Sequence, residues 1–254
     1  AIAEPVEVLT YLEPNRSIEI SAVERGVVGE ILVAEGNAVK AGDTLIKLDA
    51  AVEEARLAVA KNQAASKGRQ QAAQAAFDQQ NNRYKKLVEL SETGAANQAE
   101  LDREKAELDI AQANLTIAKE DTKTFDLSVK QIEAEIARKT LKTPIDGTVV
   151  EITKDIAESV SEVMARDGNY LVRIVQTDVL KCVGHVPSAA AGGLKVGDEL
   201  WIRLDSEDAP DAKGRIEFVS PIINPATSTV RVRLVIDNSD SRFRSGDAAA
   251  ILVE

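Results

Sequence analysis

The sequence predicts an α+β chain: a small split β domain with an inserted long antiparallel α-helical coiled-coil hairpin, followed by a small antiparallel β-barrel. Three observations carry this. Residues 49–140 hold no proline, the nearest being Pro14 and Pro144, and only two glycines, Gly68 and Gly94. Their richness in Ala, Gln, Glu, Lys and Leu is helix-forming composition. Two short β-patterned segments flank that stretch and repeat one another. Beyond residue 175, apolar runs separated by turn residues continue for about 75 residues, the pattern of a small barrel.

In chain order, residues 1–16 show little beyond Val6, Val8 and Tyr11, and one strand is expected there. From Ser17 the pattern is β: Ile18, Ile20, Val27, Val28, Ile31, Val33, Val39, Leu45, Ile46 and Leu48. The pairs Gly36 with Asn37 and Gly42 with Asp43 read as tight turns. Asp49 is the expected N-cap of the first helix, with Glu53 and Glu54 at its positive end.

The hairpin is read as two arms of about 40 residues, each roughly 60 Å long. In the second arm, Leu101, Leu108, Leu115, Val129 and Ile136 keep one heptad track, with Thr122 in the gap. Ala111, Ala118, Phe125 and Ile132 keep the companion track, so the seam is coiled-coil-like. The first arm is Ala-rich, with Val52, Val59, Phe77, Tyr84, Leu87 and Leu90 scattered along it. Thr93 and Gly94 form a helix stop, and Asn97 to Glu100 spacing is a capping box.

After the hairpin the β pattern returns as a copy. GVVGEI at 26–31 is echoed by GTVVEI at 147–152, and EGNAV at 35–39 falls on IAESV at 156–160. Each half alone is too small to bury a core, so the two are expected to dock as one domain. The segments GVVGEILVAEGNAVKAGDTLIKLD and TPIDGTVVEITKDIAESV resemble the two halves of a lipoyl/biotinyl-carrier-like domain. A lipoyl-like domain split around a helical hairpin resembles the periplasmic adaptors, or membrane fusion proteins, of the HlyD-like family. The resemblance extends to GRIEFVSPIINPATSTVRVRLVIDN and FRSGDAAAILVE, similar to the barrel segments of these adaptors. It covers about residues 17–250. Two departures stand in the second half: Ala157 occupies a position where glycine is common, and extra residues around 162–166 suggest a longer loop.

The expected divisions are 1–16 as an N-terminal strand segment on the barrel or membrane-proximal side, 17–49 with 141–175 as the split lipoyl-like domain, 50–140 as the hairpin and 176–254 as the barrel. Around the last of these boundaries, Val172, Ile174 and Val175 are expected to close the lipoyl-like domain and 179–186 to form a strand. Residues 187–191 suggest a short helix and 195–199 a turn. A membrane-proximal domain is expected to be largely absent, and Ala1 reads as a mature or trimmed start, with the membrane attachment expected in a segment outside this chain.

Composition narrows the chemistry. The net charge of −11 argues against a nucleic-acid partner, and no cofactor is expected. His185 and Cys182 are each the only residue of their type, so a catalytic triad or a Cys-based metal site has no second member. Both are read as barrel-strand residues. Copper-exporting adaptors rely on methionine, and Met164 is the sole one here. Ala50 stands where a swinging-arm carrier would present its lysine, which argues against carrier function and against enzyme activity.

The resemblance implies a non-catalytic adaptor in the periplasm, attached to the inner membrane and working as a trimer or hexamer. It implies an inner-membrane transporter, of the proton-driven resistance-nodulation-division type, and a TolC-like outer-membrane channel. An ATP-driven exporter or a type I secretion system is the alternative within the family. The channel-contact motif of drug-efflux adaptors is carried over onto Lys86, Leu90, Gly94, Asn97 and Asp102, with Lys86 in place of the usual Arg and Asn97 in place of Ser. Gly94 and Asn97 are also what the turn itself requires, and Leu90 also suits seam packing.

Overall fold

The fold was taken from a computed structural model, which describes residues 6–160, 170–204 and 211–253. The longer loop expected at 162–166, and Met164 within it, lie outside the described residues. The chain divides into two compact units, 50–139 and 1–49 with 140–254.

The first unit is the hairpin. Its first arm is broken: α1 spans Ala51–Ala65 and α2 spans Gly68–Glu92, where composition predicts one continuous helix. Ser66 takes an extended conformation, its N–H donating to the Gln63 carbonyl at 3.2 Å. Ser66 and Gly68 put two weaker helix formers on either side of Lys67 at the break, and glycine alone costs about 1 kcal/mol relative to alanine. The second arm, α3, is continuous over Gln98–Arg138. Ala111, Leu115, Ala118 and Ile132 of the predicted seam are buried, and Leu101, Leu108, Thr122, Phe125, Val129 and Ile136 are partly buried. At the root, Lys139 donates to Glu53 at 2.9 Å between largely covered side chains. That hydrogen bond is the main cause that holds the Glu53 carboxyl below its ordinary 4.5.

Asp49 is not the N-cap. Its N–H donates to the Val27 carbonyl at 2.8 Å, so its backbone still belongs to the sheet, and the helix starts one residue later. Ala50 is the N-cap, without a side-chain hydrogen bond, and Glu53 and Glu54 lie in the first turn as expected.

Among the described residues, the regular structure of the second unit is strand except for one short helix. It contains β1 (Val6–Ile20), β2 (Gly26–Ile31), β3 (Ala38–Val39), β4 (Thr44–Leu48), β5 (Thr140–Lys142), β6 (Gly147–Ile152) and β7 (Ser159–Val160). Then come β8 (Val172–Pro187), α4 (Ser188–Ala191), β9 (Glu199–Leu204), β10 (Ala212–Asn224), β11 (Thr229–Asp237) and β12 (Ala248–Val253).

The repeat is physical. β2 and β6 occupy equivalent positions of the two copies, as do β3 and β7, and each copy lends its short strand to the other. Gly26 and Val27 of β2 pair with Val160 and Ser159 of β7, while Gly147 and Thr148 of β6 pair with Val39 and Ala38 of β3. The flanking hydrogen bonds exchange in the same way: Val28 N–H to Glu158 C=O at 2.9 Å answers Val149 N–H to Asn37 C=O at 3.0 Å. Gly36 N–H to Val149 C=O answers Ala157 N–H to Val28 C=O, both at 2.8 Å. Neither half completes its own sheet. Together they enclose a core of Val28, Leu45, Ile46, Leu48, Leu141, Val149, Val172 and Ile174. At the paired turns, Gly36 has φ +87° and Ala157 has φ +71°, so the alanine keeps the glycine's left-handed conformation.

Six strands close the barrel in the order β1-β12-β9-β10-β11-β8, with β1 pairing back onto β8. Sequence patterning separates 172–175 from 179–186, but β8 is one 16-residue strand that passes from the split domain into the barrel. β1 does the same over 15 residues. Pro14 interrupts its pattern without ending it, because the register shifts between Pro14 and Arg16 and the missing donor falls at that irregularity. The barrel core includes Leu12, Leu180, Cys182, Ile202, Ile216, Val232, Leu234 and Ile251, and His185 lies exposed on β8. Asn238 is buried and fully used: its side chain donates to the Thr177 and Phe243 carbonyls and accepts from Phe243 N–H, tying the β11–β12 connection to the barrel.

Candidate functional site at the hairpin tip

The tip is built from two helix ends whose orphan groups satisfy each other locally. α2 ends at Glu92 with Thr93 as its C-cap, and Gly94 follows with φ +76°. Gly94 N–H donates to Ser91 C=O at 3.0 Å and Ala95 N–H to Leu90 C=O at 2.9 Å, a Schellman closure that only a residue tolerant of the left-handed region supports. Thr93 Oγ1 also donates to the Leu90 carbonyl, at 2.8 Å. α3 opens with the predicted capping box: Glu100 N–H donates to Asn97 Oδ1 at 2.9 Å, and Asn97 N–H to Glu100 Oε2 at 3.1 Å.

The five residues singled out in the sequence divide into two groups. Gly94 and Asn97 form the turn itself. Lys86 and Leu90 lie one helical turn apart on α2, which places them on one face, and both are exposed. Leu90 is 50% exposed, whereas the neighbouring apolar residues Leu87, Val88 and Leu101 are partly buried. Leu90 is therefore not a seam residue within this chain. Asp102 is exposed on α3 and accepts from Gln98 Nε2 at 2.9 Å.

One nearby group escaped the sequence reading. Glu104 lies on the heptad between Leu101 and Leu108, and its Oε1 is buried without a hydrogen-bond partner among the described residues. The signal was present, since a carboxylate on an apolar track is a local conflict. Elsewhere the side chains offer little for bond chemistry. Burial pushes the Cys182 thiol up to about 12, so it is not poised as a nucleophile. Among the described residues, no group of three or more His, Cys, Asp or Glu is arranged to hold a metal ion. No described helix is long and apolar enough to cross a membrane.

Residues 20–175 match the family of the YknX barrel-sandwich hybrid domain. The chain belongs to the membrane fusion protein family. Residues 183–254 separately match the CusB-like β-barrel domain. Among relatives of this membrane fusion protein, multidrug resistance protein MdtE of Escherichia coli K12 is 25% identical over 258 residues, covering 98% of this chain and 65% of its own length. Membrane fusion protein MtrC of Neisseria gonorrhoeae is 26% identical over 272 residues, covering 100% of this chain and 60% of its own. An uncharacterized Haemophilus influenzae protein is 26% identical over 229 residues, covering 90% and 52%. The chain thus spans about half to two thirds of the length of these relatives. The fold is similar to that of MacA from Actinobacillus actinomycetemcomitans, with a TM-score of 0.83 at 20% identity, over 100% of this chain and 79% of that one.

Proposed function

We propose that this membrane fusion protein is the non-catalytic periplasmic adaptor of a tripartite efflux pump. In this reading the hairpin tip docks on a TolC-like outer-membrane channel through Lys86, Leu90, Gly94, Asn97 and Asp102. The split domain, 17–49 with 141–175, and the barrel, 176–254, pack around an inner-membrane transporter of the resistance-nodulation-division type and beside further copies of the chain. Its role is sealing and coupling. The observation that carries the tip assignment is Leu90, an apolar side chain left half-exposed at the end of a turn whose backbone groups are already satisfied.

The test is export complementation by the full-length protein. Leu90→Asp places a charge where an apolar contact is proposed, and burying an unpaired charge is far costlier than exposing it. Export is expected to be lost while the helicity and melting temperature of the isolated protein are kept, because Leu90 is exposed. Asn97→Ser keeps the capping oxygen and is expected to export normally. Unchanged export with Leu90→Asp would remove the tip from the contact.

A further inference from the structure

We propose that the hairpin carries a built-in hinge nearer its root than its tip, at Ser66 and Lys67 in the first arm and at residues 119–126 of α3. The first arm is interrupted there: α1 ends at Ala65, Ser66 is extended, and α2 starts from Lys67 without a side-chain cap. A break in one arm would not by itself permit bending, because an intact partner helix acts as a splint. α3 is intact but softened at the same level. Thr116, Thr122 and Thr124 each turn a hydroxyl back onto the carbonyl four residues earlier, to Gln112, Ala118 and Glu120, all at 3.0 Å. Such back-bonding loosens and bends helices.

Packing is thin at the same place. α3 buries Ala111, Leu115 and Ala118 and then nothing until Ile132, and Thr122 fills the heptad gap between. A cavity of about 240 Å³ opens between the arms, lined by Ser66, Arg69, Ala118, Thr122 and Phe125 among others. Across it the arms are joined by the exposed Arg69–Asp121 pair at 3.7 Å, a contact that adapts to small shifts. Interrupted hydrogen bonding on one side, back-bonded threonines on the other and a void between them make this the level where the hairpin yields without unfolding its ends. The tip segment can then change its tilt while the part near the root stays packed. The hinge stands independently of what the tip contacts.

The test uses the whole chain and a splinted variant, Ser66→Ala with Gly68→Ala, which favours a continuous first arm; Gly68 has open space around it, so the added methyl meets nothing. Fast amide exchange at 67–70 is expected from the break alone and decides nothing; the decisive segment is 119–126 of α3. The hinge predicts faster exchange there than at 105–115 and 130–137 in the wild-type protein, and slower exchange there once the first arm is splinted. Spin labels at Ala55→Cys and Gln79→Cys, bracketing the break, should give a broader distance distribution than labels at Gln71→Cys and Glu89→Cys within α2, and the splint should narrow it. Buried Cys182 does not compete for the label. Exchange at 119–126 as slow as its flanks, or a bracketing distribution no broader than the control, would overturn the hinge.

Discussion

Ala157 holds a backbone conformation that its side chain resists. At φ +71° it stands where the other half of the repeat places Gly36. An L-residue there costs roughly 1–2 kcal/mol, and glycine returns part of that gain as extra entropy lost on folding. Ala157→Gly should therefore stabilise the β unit by about 0.5–1 kcal/mol, read as a higher urea midpoint at unchanged slope. An unchanged or lower midpoint would mean that the turn does not carry this strain. The position was legible in the sequence because the repeat aligned an alanine with a turn glycine. Asn238 was not: its three hydrogen bonds go to Phe243, five residues on, and to Thr177, distant in the chain, and no local pattern announces them.

Elements were legible where local chemistry decides them, and less so where a long-range contact does. The heptad of α3 and the capping box at Asn97 arise from neighbours in sequence and form as read. The start of α1 does not, because the Asp49 N–H is held by the Val27 carbonyl across the sheet and the helix opens one residue later, at Ala50. The break after Ala65 was marked only by Ser66, Lys67 and Gly68, a weak signal against a proline-free background. At the hairpin root, Glu53 is held below its ordinary 4.5 chiefly by the hydrogen bond from Lys139. A carboxyl depressed in the folded state adds stability above its unfolded pKa and loses it as pH falls through its folded pKa. Glu53→Gln should therefore lower the melting temperature of the hairpin at pH 7. The gap from wild type should close as pH falls below 4.5 and through the depressed value. A gap that persists at low pH would assign the effect to packing rather than to the Lys139 pair.

For the whole molecule, the repeat was the most informative feature of the sequence, because exchanged short strands need both halves present at once. The continuity of β1 and β8 through split domain and barrel was hidden, since Pro14 and the polar residues at 176–178 break the apolar alternation without breaking the strand. At the candidate site, the turn residues were readable from spacing. The exposure of Leu90 was not, because seam and surface leucines look alike until the partner helix is in place. That exposure underlies the proposal that the tip docks on an outer-membrane channel. The most direct measurement is photo-crosslinking in cells, with a photoreactive residue at position 90 of the full-length protein and a control at exposed Glu54 near the root. Docking through the tip predicts an adduct with an outer-membrane channel from position 90 and none from position 54. No channel adduct from position 90, or equal adducts from both positions, would contradict it.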